Sequence, residues 1–317
     1  MLINTLIQSK LQRTLLAIVL LVMPITSVAQ NITIIYDDKS HYQTNFANIL
    51  SKQLSPNFDV NVATKVATIL AMSISTSPVD IIINLNNDVT KNLIESNIQT
   101  TTLHALTTLS RAKGFAPCLP DCTKKLPNHY FFVLDQPASR QLNLIQLINP
   151  SFKNIGIVVT NQSIDQLKQL KKIATHKKLI INEHISTSKN AHYQIDDVSK
   201  SSDIILAIAD TDIYNAASLS QILLTSYRYR TPIIGFSKGF IRAGAIAGTV
   251  SSIEQLAQHL SETLLMSNNI NKVLENSLIY PKYFSVISNR NVAKSLNLHF
   301  PNDAELEKKL ISYEDIR

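Results

Sequence analysis

Glycine is scarce in this chain, and its placement excludes two kinds of nucleotide site. The 317 residues include six glycines, and the first of them is Gly114. The turn after the first predicted strand, YDDKS at residues 36–40, therefore lacks the G-x-G-x-x-G that lets a backbone approach a pyrophosphate. No G-x-x-x-x-G-K-[ST] loop occurs either. The sequence gives no support for a dinucleotide or nucleoside triphosphate site.

Cysteine and histidine are also too few, or too irregularly spaced, for a standard metal site. The two cysteines, Cys118 and Cys122, lie close together, and in an oxidising compartment we expect them to form a disulfide. A metal site that adds Asp121 and His129 is the alternative, but its spacing matches no standard zinc pattern. The histidines and aspartates of residues 184–197 are equally irregular and are interpreted as polar surface. We therefore predict no metal and no cofactor.

The N-terminus has the features of a cleavable export signal. Lys10 and Arg13 precede an apolar region of ten residues, 14–23, which is too short to span a bilayer. Residues 27–29, SVA, form a small-x-small cleavage site, and no cysteine follows closely enough for a lipid anchor. An uncleaved anchor helix is the alternative. We expect cleavage after Ala29 and a protein located in the periplasm, with no membrane insertion afterwards.

Charge gives little evidence for a nucleic-acid partner. The formal net charge of +7 falls to +5 when the two basic residues of the signal are removed. The only basic run, residues 167–178, has regularly spaced apolar positions, which is typical of a solvated helix face. The 288 residues that follow position 29 exceed the ~100–200 of one domain, so two lobes are expected.

Apolar, β-branched runs alternate with segments of helical spacing along the whole chain. Strands are predicted at 32–36, 59–63, 79–85, 101–109, 131–134, 155–159, 179–182, 204–208, 232–236, 245–249 and 283–287. Helices are predicted at 41–54, 90–96, 137–148, 165–175, 192–199, 216–227, 252–266, 291–296 and 303–311. Such alternation implies parallel sheets covered on both faces. Two series of similar size predict an α/β protein with two doubly wound lobes.

Residues 231–260 are the most informative segment. Four of the six glycines fall within it: Gly235, Gly239, Gly244 and Gly248. A buried strand runs into a polar turn, a short helix, a second strand and an amphipathic helix. Ser251 or Ser252 is the predicted cap of that last helix, and Glu254 is placed for a capping box with Ser251. This arrangement is typical of a ligand cleft at the carboxyl ends of strands.

The same segment contains a G-x-S-x-G motif at residues 235–239, the pattern of a nucleophilic serine on a strand-to-helix turn. Such a serine, here Ser237, needs an acid and then a histidine later in the chain. His259 is predicted on the same helix as the only intervening acid, Glu254, and His299 lies near the C-terminus. A secreted hydrolase is therefore the weakest alternative, and we predict no catalytic residue.

Polar residues follow several predicted strands at their carboxyl ends, which face one crevice in a two-lobed α/β protein. We predict that the following residues bind a ligand: Asp37, Asp38, Ser40, Asn86, Asn161, Asp210, Thr211 and Ser237. Helix N-termini would hold an anionic group, and an aspartate would pair with an ammonium. For each residue, the alternative is a helix cap or a turn.

Three segments resemble a known family. Residues 131–160, 231–265 and 280–301 are similar to the crossover, the glycine-containing strand with its return helix, and the closing strand of periplasmic substrate-binding proteins of ABC transporters, type I fold. The similar branch includes binders of aromatic and other amino acids. Residues 268–271, NNIN, depart from the glycine-containing turn usual in this branch.

The resemblance implies two lobes joined by a three-segment hinge, with lobe 1 at residues 30–134 plus 250–280 and lobe 2 at 135–249 plus 281–317. It implies a periplasmic protein that captures a small organic ligand, an amino acid or related carboxylate, for the membrane permease of an ABC-type importer. Lobe closure about the hinge would accompany binding. A sensor or interaction protein of the same fold with a degenerate cleft is the alternative.

Overall fold

The computed structural model describes residues 30–64, 79–96, 98–187, 191–266 and 276–315. The predicted export signal and the 268–271 segment lie outside these residues. The strands are β1 (Asn31–Ile35), β2 (Asp59–Ala63), β3 (Ile81–Asn84), β4 (Thr101–Thr107), β5 (His129–Val133), β6 (Asn154–Val159), β7 (Ile180–Ile185), β8 (Ile204–Leu206), β9 (Ile233–Ile234), β10 (Ala247–Val250), β11 (Leu278–Ile279) and β12 (Ser285–Ser288).

The α-helices surround these strands. They are α1 (His41–Leu54), α2 (Thr90–Glu95), α3 (Leu109–Phe115), α4 (Ala138–Ile148), α5 (Ile164–His176), α6 (Ala191–Ser201), α7 (Leu219–Arg228), α8 (Lys238–Ala243), α9 (Ile253–Leu265), α10 (Arg290–Ser295) and α11 (Asp303–Asp315). Short 3-10 helices precede α2 and α5, at Asn87–Val89 and Asn161–Ser163.

The strands form two six-stranded sheets, and the prediction of two doubly wound lobes is confirmed. The first sheet has the order β11-β5-β4-β3-β1-β2 and is parallel throughout. The second has the order β12-β10-β9-β8-β6-β7. We call each sheet with its helices a lobe. One detail differs from the predicted parallel sheets: β12 runs antiparallel to β10. The chain reaches β12 from the other sheet, so no crossover helix is needed to set its direction.

Burial explains why the strands read as apolar runs. All four residues of β3 are buried, and separate apolar clusters cover the two faces of each sheet. Helix α1 spans His41–Leu54 as predicted, because Ser40 caps it and Phe46, Leu50 and Leu54 form its buried stripe. The core of each lobe therefore holds the carboxyl ends of its strands in fixed positions.

Two local predictions are wrong. The strand predicted to reach Leu109 ends at Thr107, and Leu109 opens α3, where the Thr108 hydroxyl accepts the Arg111 N–H. The capping box of α9 is shifted by one residue, with Ser252 and Gln255 in place of Ser251 and Glu254.

Three short connections join the sheets, after β5 (residues 134–137), after β10 (251–252) and after β11 (280–284). We call them the three passages. Gln136 Nε2 in the first donates to Ser251 Oγ in the second at 3.0 Å. That hydroxyl donates in turn to the backbone oxygen of Tyr283 in the third at 2.6 Å. One hydrogen-bonded chain therefore spans all three passages, and it includes Ser251, one of the two serines predicted as the cap of α9.

Gly248 in β10 touches the backbone of the neighbouring strand. A Cβ at this position would lie 2.1 Å from the backbone oxygen of Gly235. We expect Gly248→Ala to lower the free energy of unfolding by about 1–3 kcal/mol, because backbone cannot move aside as a side chain can. At Gly239 the nearest atom would lie 4.0 Å away. Gly239→Ala is therefore the control, and equal losses in urea unfolding of the two variants would contradict the explanation.

Candidate functional site

A cavity of about 240 Å³ lies between the two lobes, beside the first passage. Its walls come from both sheets and from the passages that join them. The lining residues are Thr108, Leu134, Asp135, Gln136, Ala138, Gln141, Gln166, Gln169, Leu170, Leu206, Ala207, Ile208, Ala209, Phe236, Ser237 and Tyr280. The volume lies just below the usual range of about 300–1,000 Å³ for ligand pockets, so it suits a small organic molecule.

The apolar part of the wall is formed at strand ends of the second lobe. Leu206 ends β8 and Ile208 follows it, while Phe236 follows β9. The Phe236 ring meets Tyr214 edge-on, with the ring centroids 5.9 Å apart. These positions lie at the carboxyl ends of parallel strands, where ligands bind in open α/β sheets.

The charged group of the cavity is the carboxylate of Asp135, which follows β5 in the first passage. Its Oδ2 accepts the backbone N–H of Leu109 at 2.6 Å, and its Oδ1 accepts from Gln166 Nε2 at 2.8 Å. Leu109 belongs to the first lobe and Gln166 to the second. Burial raises the pKa of Asp135, although these hydrogen bonds oppose the rise. Asp135 thus joins the lobes while its carboxylate faces the cavity.

Glutamines supply most of the remaining polar surface. Gln141 on α4 is nine-tenths buried, and its Oε1 has no hydrogen-bond partner. Gln166 donates its amide nitrogen to Asp135, which leaves its buried Oε1 without a partner as well. Buried acceptors without donors are costly. Both glutamines line the cavity, although these two oxygens are themselves buried.

Further contacts close the lobes around the cavity. Lys113 on α3 lies 3.0 Å from Asp165 on α5, and the Tyr280 hydroxyl donates to Gln169 Oε1 at 3.3 Å. Burial and the Asp135 carboxylate raise the pKa of Tyr280 to about 12, so the phenol keeps its proton and donates.

Ser237 is the one sequence-predicted ligand residue that lines the cavity. Its hydroxyl accepts the Phe240 N–H at 3.2 Å and so caps α8. Asp210 is 1 % exposed and fully engaged, because Oδ2 accepts from the Thr160 backbone and hydroxyl and Oδ1 accepts from the Asp212 N–H. Its carboxylate holds two loops of the second lobe together.

The other predicted ligand residues lie outside the cavity wall. Ser40 and Asn86 are N-caps, and Asp37 Oδ1 accepts the Lys39 N–H. Three others have exposed side chains: Asp38, Asn161 and Thr211. Most strand-end polar groups therefore satisfy nearby backbone. The sequence did not point to Gln141 and Gln166, because they lie inside helices. Asp135 was also missed, although it follows a strand as the predicted ligand residues do.

The structure does not assemble the hydrolase site. Ser237 Oγ serves as a cap, whereas the ring of His259 packs on Phe132 and its Nδ1 accepts the Lys282 N–H. Among the described residues, no hydrogen bond connects Ser237 to a histidine. The G-x-S-x-G match is a helix-capping turn.

The cysteines are paired, and the described residues contain no group of three or more potential metal ligands. Cys118 and Cys122 are disulfide-bonded with Cα atoms 5.1 Å apart, in the connection between α3 and β5. The Cys122 N–H donates to Ser277 Oγ, which ties this loop to β11. His129, considered above as a ligand, pairs with His104 instead. No helix in the described part of the chain has both the length and the apolar character needed to cross a membrane.

Comparison with known proteins agrees with the two-lobed architecture. Residues 134–295, just over half of the chain, match the sequence family described as ABC transporter substrate binding protein. No curated protein matches the sequence.

Three solved structures share the fold. A ligand-free, open substrate-binding protein with adhesive properties from Clostridium difficile is 16% identical, with a TM-score of 0.63, covering 87% of this chain and 97% of its own. A conserved domain protein from Vibrio cholerae is 15% identical, with a TM-score of 0.57 and coverages of 88% and 98%. An ABC domain in complex with L-Trp from Streptococcus pneumoniae is 14% identical, with a TM-score of 0.56 and coverages of 88% and 98%.

Proposed function

Because this chain belongs to the ABC transporter substrate-binding protein family, we propose that it captures a small organic molecule in the cavity between its lobes and delivers it to the permease of an ABC-type importer. The family is a solute-binding, non-catalytic one. The observation that carries the proposal is the interlobe cavity of about 240 Å³, which is lined by apolar side chains at strand ends and by Asp135. The periplasm is the location that this role requires.

The lobe contacts support the same role. Asp135 accepts hydrogen bonds from both lobes, and Lys113 reaches across to Asp165. The three passages provide a hinge about which the lobes can part and close. A closed form that buries its ligand presents a different surface from an open one, which is what a permease needs in order to recognise the loaded protein.

A thermal-shift screen with a cavity-filling variant tests the proposal. We expect one chemical class among amines, amino acids, carboxylates, sugars and nucleosides to raise the melting temperature. A ligand at a hundred times its Kd stabilises by about 2.7 kcal/mol, a shift of several degrees for a chain of this size. Ala209 lines the cavity, so Ala209→Phe should abolish the shift, whereas Ala216→Phe, at an exposed alanine, should preserve it.

Two outcomes would overturn the proposal. One is a ligand-induced shift that survives Ala209→Phe, which would place the ligand elsewhere. The other is a folded protein that responds to no class and carries no small molecule in native mass spectrometry. The second outcome favours the sensor or interaction protein with a degenerate cleft.

A further inference from the structure

The cavity has one charged side chain and no basic one. Among its sixteen lining residues, Asp135 alone carries a formal charge, and lysine, arginine and histidine are absent. The groups that donate to Asp135 are a backbone N–H and an amide, both neutral. Within the described residues, no ion pair includes this carboxylate. A carboxylate in this position lacks a counter-charge.

The basic side chains near the cavity already form ion pairs with other carboxylates. Arg140 donates to Gln136 behind the cavity wall, but its guanidinium is paired with Glu314. Lys113 is paired with Asp165 at 3.0 Å. A buried charge without a partner is unfavourable. The raised pKa of Asp135 has this same cause, because burial disfavours the charged carboxylate.

The unpartnered neutral groups are acceptors too. Gln166 is oriented by its bond to Asp135, so the amide group it leaves free is the oxygen. The buried Oε1 of Gln141 has no donor. The side chains around this small space therefore offer one carboxylate and two glutamines whose buried amide oxygens lack donors, and they offer no cationic group.

We propose that the ligand is a small organic ammonium ion with an apolar body and no carboxylate, a proposal that rests on the function proposed above. The ammonium donates to the carboxylate of Asp135, which supplies the missing counter-charge. The apolar body packs against Leu134, Leu206 and Phe236.

The same wall disfavours the carboxylate ligands that the family resemblance implies. A ligand carboxylate would share the cavity with Asp135 and find no cationic side chain. Like charges at close range in a poorly solvated site repel strongly. The proposal therefore separates amines both from carboxylic acids and from zwitterionic amino acids.

Isothermal titration calorimetry with four matched probes tests this selectivity: phenethylamine, phenethyl alcohol, hydrocinnamate and phenylalanine. They share a phenyl group on a short chain and differ in charge. We expect phenethylamine to bind about 10- to 100-fold more tightly than the neutral alcohol, because a charged hydrogen-bond pair replaces a neutral one. Hydrocinnamate should be the weakest probe. Stronger binding of phenylalanine or hydrocinnamate than of the amine overturns the proposal.

Asp135→Asn distinguishes charge recognition from a merely structural role. It keeps the shape and the acceptor for Leu109, so a structural role would weaken all four probes alike. We expect the preference for the amine over the alcohol to disappear in this variant. Asp197→Asn removes an exposed carboxylate that does not line the cavity and should retain that preference. Retention of the preference in Asp135→Asn refutes the role of Asp135.

Failure of this inference is distinguishable from failure of the proposed function. If sugars or carboxylates shift the melting temperature and Ala209→Phe abolishes the shift, the cavity is a ligand site but the ammonium assignment is wrong. If no compound binds and native mass spectrometry finds no small molecule, both are wrong.

Discussion

Replacement of Arg140 by methionine is expected to lower the free energy of unfolding by about 3–5 kcal/mol, because it leaves buried partners without donors. Arg140 on α4 is 2 % exposed. Its guanidinium makes two hydrogen bonds of 2.6 Å to the Glu314 carboxylate, and Nη1 also donates to Gln136 and to the Pro281 backbone oxygen. Its Cζ lies 3.9 Å from the centre of the Phe284 ring.

These contacts place Arg140 where the first and third passages meet α11. Methionine has a similar length but donates nothing, so a carboxylate and a carbonyl lose their partners together. Arg140→Lys keeps the charge but cannot make the two parallel hydrogen bonds to Glu314. It should therefore lower the free energy of unfolding by an intermediate amount. Urea unfolding monitored by circular dichroism measures the loss from the change in midpoint.

Arg290 offers a matched control on the surface. It also pairs with a carboxylate, that of Asp303 at 2.7 Å, donates to two backbone oxygens, and lies over an aromatic ring, that of Phe300. Its side chain is 44% exposed, against 2% for Arg140. Arg290→Met should therefore cost about 1 kcal/mol or less. Equal losses from the two variants would contradict the explanation by burial.

Acidification is expected to destabilise the protein because a buried chain of side chains holds two histidines in the neutral form. His104 in β4 is 1 % exposed, and its Nδ1 lies 3.1 Å from Asn84 Nδ2. Its Nε2 lies 3.0 Å from His129 Nδ1. The Asn86 N–H donates to Asn84 Oδ1, which turns the amide nitrogen of Asn84 towards His104. His104 Nδ1 therefore accepts, and Nε2 carries the proton donated to His129.

A second proton on His104 would set an N–H against the amide N–H of Asn84. Burial, and next the adjacent His129, lower the pKa of His104 from 6.5 to about 3. Burial also lowers the pKa of His129. Burial, and next Lys282, lower the pKa of His259 to about 4. All three rings stay neutral in the folded protein at pH values where the unfolded chain binds protons.

The direction of the pH effect follows from the number of protons that the folded and unfolded states bind. Below pH 6.5 the unfolded state binds more protons than the folded state, so the free energy of unfolding falls as the pH falls. The slope is up to ~1.4 kcal/mol per pH unit for each histidine, and His104 contributes about 3 kcal/mol between pH 6.5 and pH 4. We expect His104→Gln to reduce the slope of the free energy of unfolding against pH by the contribution of about one proton.

Urea unfolding at half-unit pH steps measures these slopes. Carboxylates also titrate in this window, but they are the same in both proteins, so the difference between slopes isolates His104. His41→Gln, at an exposed histidine, is the control and should leave the slope unchanged. An unchanged slope in His104→Gln would refute the proposed origin of the acid sensitivity.

The fold was predictable from sequence wherever one physical signal dominated. Ser40 and the spacing of Phe46, Leu50 and Leu54 define both ends of α1, and apolar runs locate the buried strands. Elements with weak sequence signals were not predicted. Helix α3 contains Gly114 and two basic residues in seven positions, and β11 is two residues long. Tertiary contact overrode a local signal at Ser251, whose hydroxyl donates to the backbone oxygen of Tyr283 instead of accepting a backbone N–H of α9 as a cap would.

The site was predictable in its location but not in its residues. The carboxyl ends of β8 and β9 do form the cavity wall, through Ile208 and Phe236. The sequence could not reveal that the Asp210 carboxylate already accepts hydrogen bonds from Thr160 and Asp212. Nor could it reveal that Gln141 faces a cavity, because glutamine in a helix has the same pattern whether it faces solvent or a ligand.

The contacts between the lobes also govern how fast a ligand can come and go. The Lys113–Asp165 pair, the Tyr280–Gln169 bond and the two bonds to Asp135 hold the lobes together beside the cavity. If a ligand enters and leaves only when the lobes part, several of these contacts must break together before it can do so. Association slows when binding requires a conformational change. The opening rate of the lobes, rather than diffusion, would then set both the association rate and the residence time.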